Sequence, residues 1–111
     1  MSNTKEPSAA EKMIGDFAPK LVRFTDDVLF GDLWEREQLS NRDRSLITIA
    51  SLVTGGNTEQ LKFHLNLAKE NSLSEEELIE VITHLAFYAG WPKAMSAIMV
   101  AKEMFSKGIE A

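Results

Sequence analysis

The chain contains no cysteine. That excludes disulfides, thiolate nucleophiles, thiolate metal sites and thiol-based peroxidase cycles. Histidine is almost as scarce, with two copies. A zinc site would need carboxylates to complete its ligand set, and no such spacing occurs, so no metal is expected. Basic residues are outnumbered, 12 Lys and Arg against 17 Asp and Glu, for a formal net charge of −5. A diffusely acidic surface repels phosphate backbones, so nucleic acid is not an expected partner. No apolar run approaches the ~20 residues that a membrane span needs, and no membrane partner is expected. The polar start, Met1 to Pro7, lacks an apolar leader core, which makes the cytoplasm the expected location.

What is present is apolar and helical. The 111 residues suffice for one domain, expected over 1–111, with 1–18 as a loosely ordered N-terminal arm or short helix. A domain of this size buries about two-thirds of its unfolded surface, so its own core is modest. Yet 44% of the residues are apolar, including five Met and two Trp. The stretches Val81–Pro92 and Ala94–Ala101 carry no charged residue at all. A helix that is apolar all round is normally buried, and one small domain cannot bury two of them. Self-association is the expected solution.

Start and stop signals divide the chain into helices. Ser8 with Glu11, Ser40 with Asp43, Asn57 with Gln60 and Ser74 with Glu77 have capping spacing, the last pair being the clearest box. Pro19 suits a first turn, in a helix carrying Leu21, Val22, Phe24, Val28 and Leu29 to a break at Gly31. Asp32–Leu39, with Trp34, reads as a turn or loop. Gly15, Gly55-Gly56 and Gly90 are stops, Pro92 opens a last helix carrying Ala94, Met95, Ile98, Met99 and Met104, and Gly108 marks its end. Short loops and no strand signals predict an all-α bundle with antiparallel neighbours.

The polar residues inside apolar helices are the candidates for chemistry. His64 lies near Leu61, Leu65 and Ala68. His84 sits in the uncharged stretch, with Tyr88 one turn on and Trp91 just past the break. Each also reads as an ordinary core or interface residue. Arg36, Arg42 and Arg44 form a local basic cluster in an acidic chain, suited either to holding an anion or to surface pairing with Glu35, Glu37 or Asp43. Met95 and Met99, four apart, read as packing or interface. Ser45–Lys69 has the outline of a helix-turn-helix, but Lys62 is the first basic residue of its second helix and no basic arm accompanies it.

Three segments in order resemble the carboxymuconolactone decarboxylase family. They are Leu39-Ser-Asn-Arg-Asp-Arg-Ser-Leu-Ile-Thr-Ile-Ala50, then Leu61-Lys-Phe-His-Leu-Asn-Leu-Ala68 with Leu73-Ser-Glu-Glu-Glu-Leu78, then Glu80-Val-Ile-Thr-His-Leu-Ala-Phe-Tyr-Ala-Gly-Trp-Pro92. The resemblance implies a compact helical bundle of the alkylhydroperoxidase-D-like type, assembled through interlocked helices into a homo-oligomer, a trimer or hexamer. One branch of that family uses a Cys-x-x-Cys pair ahead of a His, with an upstream Glu. With His64 matched to that His, Asn57 and Gln60 stand at the cysteine positions and Ser45 at the Glu. The match is therefore to the decarboxylase branch. Ser72 stands where relatives usually carry Gly at a helix end.

The resemblance implies a cofactor-free loss of CO2 from a small anionic lactone or carboxylic acid. Such a site must orient the anion, stabilise the developing oxyanion and deliver a proton to carbon. Arg44, with Arg42 in reserve, suits a carboxylate. His64, ranked ahead of His84, suits the proton or the oxyanion. Trp34, Tyr88 and Trp91 suit the wall of a water-poor slot. Two other readings stay open: a non-catalytic oligomer that binds a small molecule in an apolar cleft, and another cofactor-free lyase or isomerase.

Overall fold

The computed structural model describes residues 6–110, with side chains described through residue 106. The first five residues of the expected N-terminal arm lie outside the described residues. All regular structure among the described residues is helical. The chain divides into two units, Met1–Leu39 and Ser40–Ala111.

In the first unit, α1 (Ala9–Ile14) begins where the Ser8 hydroxyl accepts the Glu11 N–H, and it ends at Gly15. The Ser8 hydroxyl also donates to Asp26 Oδ2 at 2.9 Å. Then α2 (Pro19–Arg23) opens on its proline. The expected single helix to Gly31 instead widens into a π-helix over Phe24–Phe30. A 3₁₀ turn over Leu33–Glu35 follows, where a turn or loop was expected.

The second unit holds four longer helices. Helix α3 (Asn41–Gly55) starts at the Ser40 cap and stops at Gly56, whose φ of 72° is the left-handed conformation that glycine adopts without penalty. Helix α4 (Thr58–Glu70) follows. Asn57 occupies its N-cap position but its side chain makes no capping bond, so the expected cap there is backbone only. Helix α5 (Glu75–Ala89) carries the full Ser74/Glu77 capping box. Gly90, at φ 103° and ψ 148°, makes the break, and α6 (Trp91–Glu110) runs on past the expected stop at Gly108.

The core forms where these four helices face one another. Ile49 and Val53 of α3, Leu61 and Leu65 of α4, and Leu78 and Ile82 of α5 are fully buried. The buried stripe of α6 is Ala94, Ala97, Ala101 and Phe105. Small residues at that spacing let α6 approach its neighbours closely. Met95 and Met99, expected as packing or interface residues, lie on the outer face. Helices α3 and α6 each pack against both α4 and α5, which leaves α4 and α5 on opposite sides of that pair.

Candidate active site

Arg44 and His64 project from neighbouring helices. Arg44 is in the first turn of α3 and is 8% exposed. Its Nε is buried, and its backbone carbonyl accepts the Thr48 hydroxyl at 2.8 Å. His64 lies one turn past Leu61 on α4, at the edge of that helix's buried stripe, so it is half-buried and its Nδ1 is fully covered. Phe63 meets the imidazole edge-on, with ring centroids 5.1 Å apart. Burial pushes the His64 pKa below its usual value, because a desolvated imidazolium loses hydration. His64 is thus a neutral imidazole at neutral pH.

The register of the two helices follows from one contact. The Asn71 side-chain amide, at the end of α4, donates to Ser45 Oγ, near the start of α3, at 3.0 Å. The helices are therefore antiparallel, as their two-residue connection, Gly56-Asn57, requires. With a rise of about 1.5 Å per residue, Arg44 and His64 stand roughly 12 Å apart along the pair.

Arg42 is engaged elsewhere. Its guanidinium pairs with Glu77 of α5. Glu77 also accepts the Ser74 N–H at 3.0 Å. That backbone hydrogen bond, aided by the Arg42 charge, holds its carboxyl below the usual carboxylate range. The partners expected for the basic cluster were closer in sequence; Arg36 meets Gln38, with Nε donating at 3.3 Å.

The remaining candidates gather on a different face. His84 stacks on Tyr88 with ring centroids 4.9 Å apart and planes 26° from parallel. Phe87 meets Trp91 edge-on at 5.4 Å. All four are exposed, Tyr88 at 78% and Trp91 at 57%. His84 lies on α5 and His64 on α4. Trp34 belongs to the first unit, where its ring lies 5.7 Å from that of Phe30. A shallow groove of about 540 Å³ runs between α4 and α6, lined by Thr58, Glu59, Lys62, Met99 and Glu103 among others, and none of the candidates lines it. Among the described residues no group of three or more His, Asp or Glu is placed to hold a metal ion.

Residues 19–103 match the model of the carboxymuconolactone decarboxylase family. The chain belongs to this family. The match begins well ahead of Leu39, where the first of the three resembling segments starts, and so takes in α2 and the π-helix of the first unit. A 4-carboxymuconolactone decarboxylase of Acinetobacter baylyi is 35% identical over 92 residues, which cover 83% of this chain and 69% of the relative. A nitrosuccinic acid decarboxylase of Metarhizium robertsii is 27% identical over 81 residues, 73% of this chain and 57% of that relative. The chain thus spans little more than half the length of the second. With these relatives it is a decarboxylase-family protein, all-helical among its described residues, and no described helix is long and apolar enough to cross a membrane.

Ser45 and Asn71 were not legible as a pair. In the sequence Ser45 stands out only as a departure from the cysteine-using branch, and Asn71 not at all. A polar residue at a helix terminus, 26 positions from a buried serine, gives no signal in one sequence.

Proposed function

We propose that this chain is a cofactor-free decarboxylase acting on a small dianionic lactone or carboxylic acid, with Arg44 and His64 as the residues that meet the substrate. The two relatives are named for acids with one chemical plan. Each carries two carboxylates, one of them positioned so that an electron sink takes the pair left behind by CO2. In 4-carboxymuconolactone the sink is the lactone carbonyl, reached through a double bond. In nitrosuccinic acid it is the adjacent nitro group. The first is the substrate class proposed here.

Cleavage of the carbon–carboxylate bond sends its electron pair into the lactone carbonyl oxygen and releases CO2. The resulting dienolate then takes a proton at carbon, giving the enol-lactone. The Arg44 guanidinium holds the carboxylate that stays, in a setting where burial strengthens the charge-assisted bonds. Neutral His64 offers an N–H to the oxyanion as it develops. The bound dianion raises the His64 pKa by favouring imidazolium, so the same ring becomes able to supply the proton.

The observation that supports this reading most is the presence of a buried guanidinium and a desolvated imidazole on two packed helices of a decarboxylase-family chain. The exposed row of Phe87, Tyr88, Trp91, Met95 and Met99 supports a homo-oligomer, a trimer or hexamer, in which a neighbouring copy covers that face. The expected setting is the cytoplasm and the breakdown of aromatic compounds.

Ultraviolet-monitored turnover of 4-carboxymuconolactone tests the proposal. Wild type should consume it without added metal or cofactor, and His64→Ala should lose at least tenfold in kcat. No turnover by wild type removes the substrate assignment and favours the binding-protein reading. Undiminished turnover by His64→Ala removes that residue from the chemistry.

A further inference from the structure

We infer that Asn71 is a positioning residue for Arg44, acting through the Ser45 hydroxyl. The inference rests on the anion-binding reading of Arg44. Ser45 follows Arg44 directly in α3 and is 1% exposed. A hydroxyl this deeply buried is held by the partner that it meets, here the Asn71 amide at 3.0 Å.

Asn71 is itself fixed. Its backbone N–H bonds the carbonyls of Leu67 at 2.9 Å and Ala68 at 3.1 Å. Ser72 then turns the chain at φ 80°, and buried Leu73 returns its N–H to the Ala68 carbonyl at 3.0 Å. The amide is thus presented from a closed helix end, not from a mobile loop.

Apolar contacts between α3 and α4 are non-directional and tolerate small sliding movements. A hydrogen bond from the half-buried Asn71 amide to the buried Ser45 hydroxyl tolerates little, because it weakens steeply with distance and angle. The Ser45–Asn71 bond therefore sets the height of α4 against α3. It also sets the separation of Arg44 from His64. Arg42, three residues earlier, ties the same turn of α3 to Glu77 of α5. Arg44 thus lies between one tie to α5 and one to α4.

The experiment compares wild type with Asn71→Ala, Ser45→Ala, the double variant and Arg44→Ala. It measures KM and kcat on 4-carboxymuconolactone, affinity for cis,cis-muconate by calorimetry, and hydrogen exchange of the Arg44 Nε–H by nitrogen-15 NMR. Each single variant should raise KM and the muconate dissociation constant about fivefold or more, with kcat within about twofold of wild type. The double variant should be no worse than either single one, since the two residues act as one unit. Exchange of the buried Nε–H should quicken in all three. Should Asn71→Ala unfold at the assay temperature, Ser45→Ala, which removes one oxygen atom, gives the same reading.

Additive effects of the two substitutions would overturn the inference. So would unchanged affinity and exchange in both single variants while Arg44→Ala loses binding; the anion-binding reading would then stand alone. Loss of nothing in Arg44→Ala would overturn both, and the exchange data would still report whether Asn71 orders the guanidinium.

Discussion

Arg42 of α3 pairs with Glu77 of α5, the same carboxylate that closes the Ser74 capping box. One side chain therefore finishes a helix start and joins two helices whose residues lie 35 positions apart. Arg42 thus serves this helix junction, while Arg44, two positions on, is buried at 8% exposure.

The first prediction separates them. Arg44→Ala should raise KM on 4-carboxymuconolactone by roughly 10- to 100-fold, the range of a lost charge-assisted hydrogen bond. Arg42→Ala should change KM less than about threefold and lower the melting temperature by a few degrees instead. Steady-state kinetics and thermal melts check both halves. The Glu77 carboxyl has a depressed folded pKa, so its contribution is present above its unfolded value of about 4.5 and fades as pH falls through the folded one. Glu77→Gln should flatten that part of the acid melting profile.

A second prediction concerns His64. Its folded pKa lies below the unfolded value of 6.5. The unfolded chain therefore binds the proton more tightly than the folded one. Stability is full above pH 6.5 and falls as pH drops from there through the depressed folded value. Imidazole resonances of the two histidines should show His64 titrating below 6.5. Adding cis,cis-muconate should move that midpoint upward. A His64 midpoint at or above 6.5 in the free protein would contradict the neutral-imidazole step. His64→Gln should remove this part of the stability slope.

The sequence carried the helix starts at Ser40 and Ser74 because a capping oxygen acts on an N–H three residues away. It carried the stop at Gly56 for an equally local reason, a left-handed φ. For Met95 and Met99 the sequence left packing and interface both open. Within the uncharged stretch Ala94–Ala101 every face looks alike, and only packing against α3, α4 and α5 selects the alanine stripe. The widened turn over Phe24–Phe30 left no mark either, since its composition suits an α-helix equally well. For the site, residue type singled out His64 and Arg44. Their environment was hidden, because burial and the Arg42–Glu77 pairing depend on residues far away in the chain.

The third prediction tests backbone conformation. Ser72 adopts φ 80° just past the end of α4, where a side chain costs about 1 kcal/mol relative to glycine. Ser72→Gly should raise stability by about 0.5–1 kcal/mol, after allowing for glycine's greater freedom when unfolded. Gly90, at φ 103° and ψ 148°, lies in a region almost confined to glycine. Gly90→Ala should lower stability by about 1–3 kcal/mol. Urea denaturation of the two variants measures both, and a stabilised Gly90→Ala would contradict the assigned turn.

The last prediction concerns the face formed by Phe87, Tyr88, Trp91, Met95 and Met99. Each is at least half exposed, with Phe87 at 75%. Large aromatics bring on the order of 150–250 Å² each, so together these residues exceed what a monomer normally leaves in water. A second copy covering them would remove that cost. Light scattering should then give a mass several times the 12.4 kDa of one chain at micromolar concentration. Trp91→Glu should shift the population toward smaller species, because a neighbouring copy would have to bury its charge. Fluorescence gives an independent reading, since the chain has two tryptophans. In a Trp34→Phe background, Trp91 emission should be blue-shifted at high protein concentration and move to the red on dilution. A clean monomer, with red emission at every concentration, would show that this face meets water and would overturn the proposed assembly.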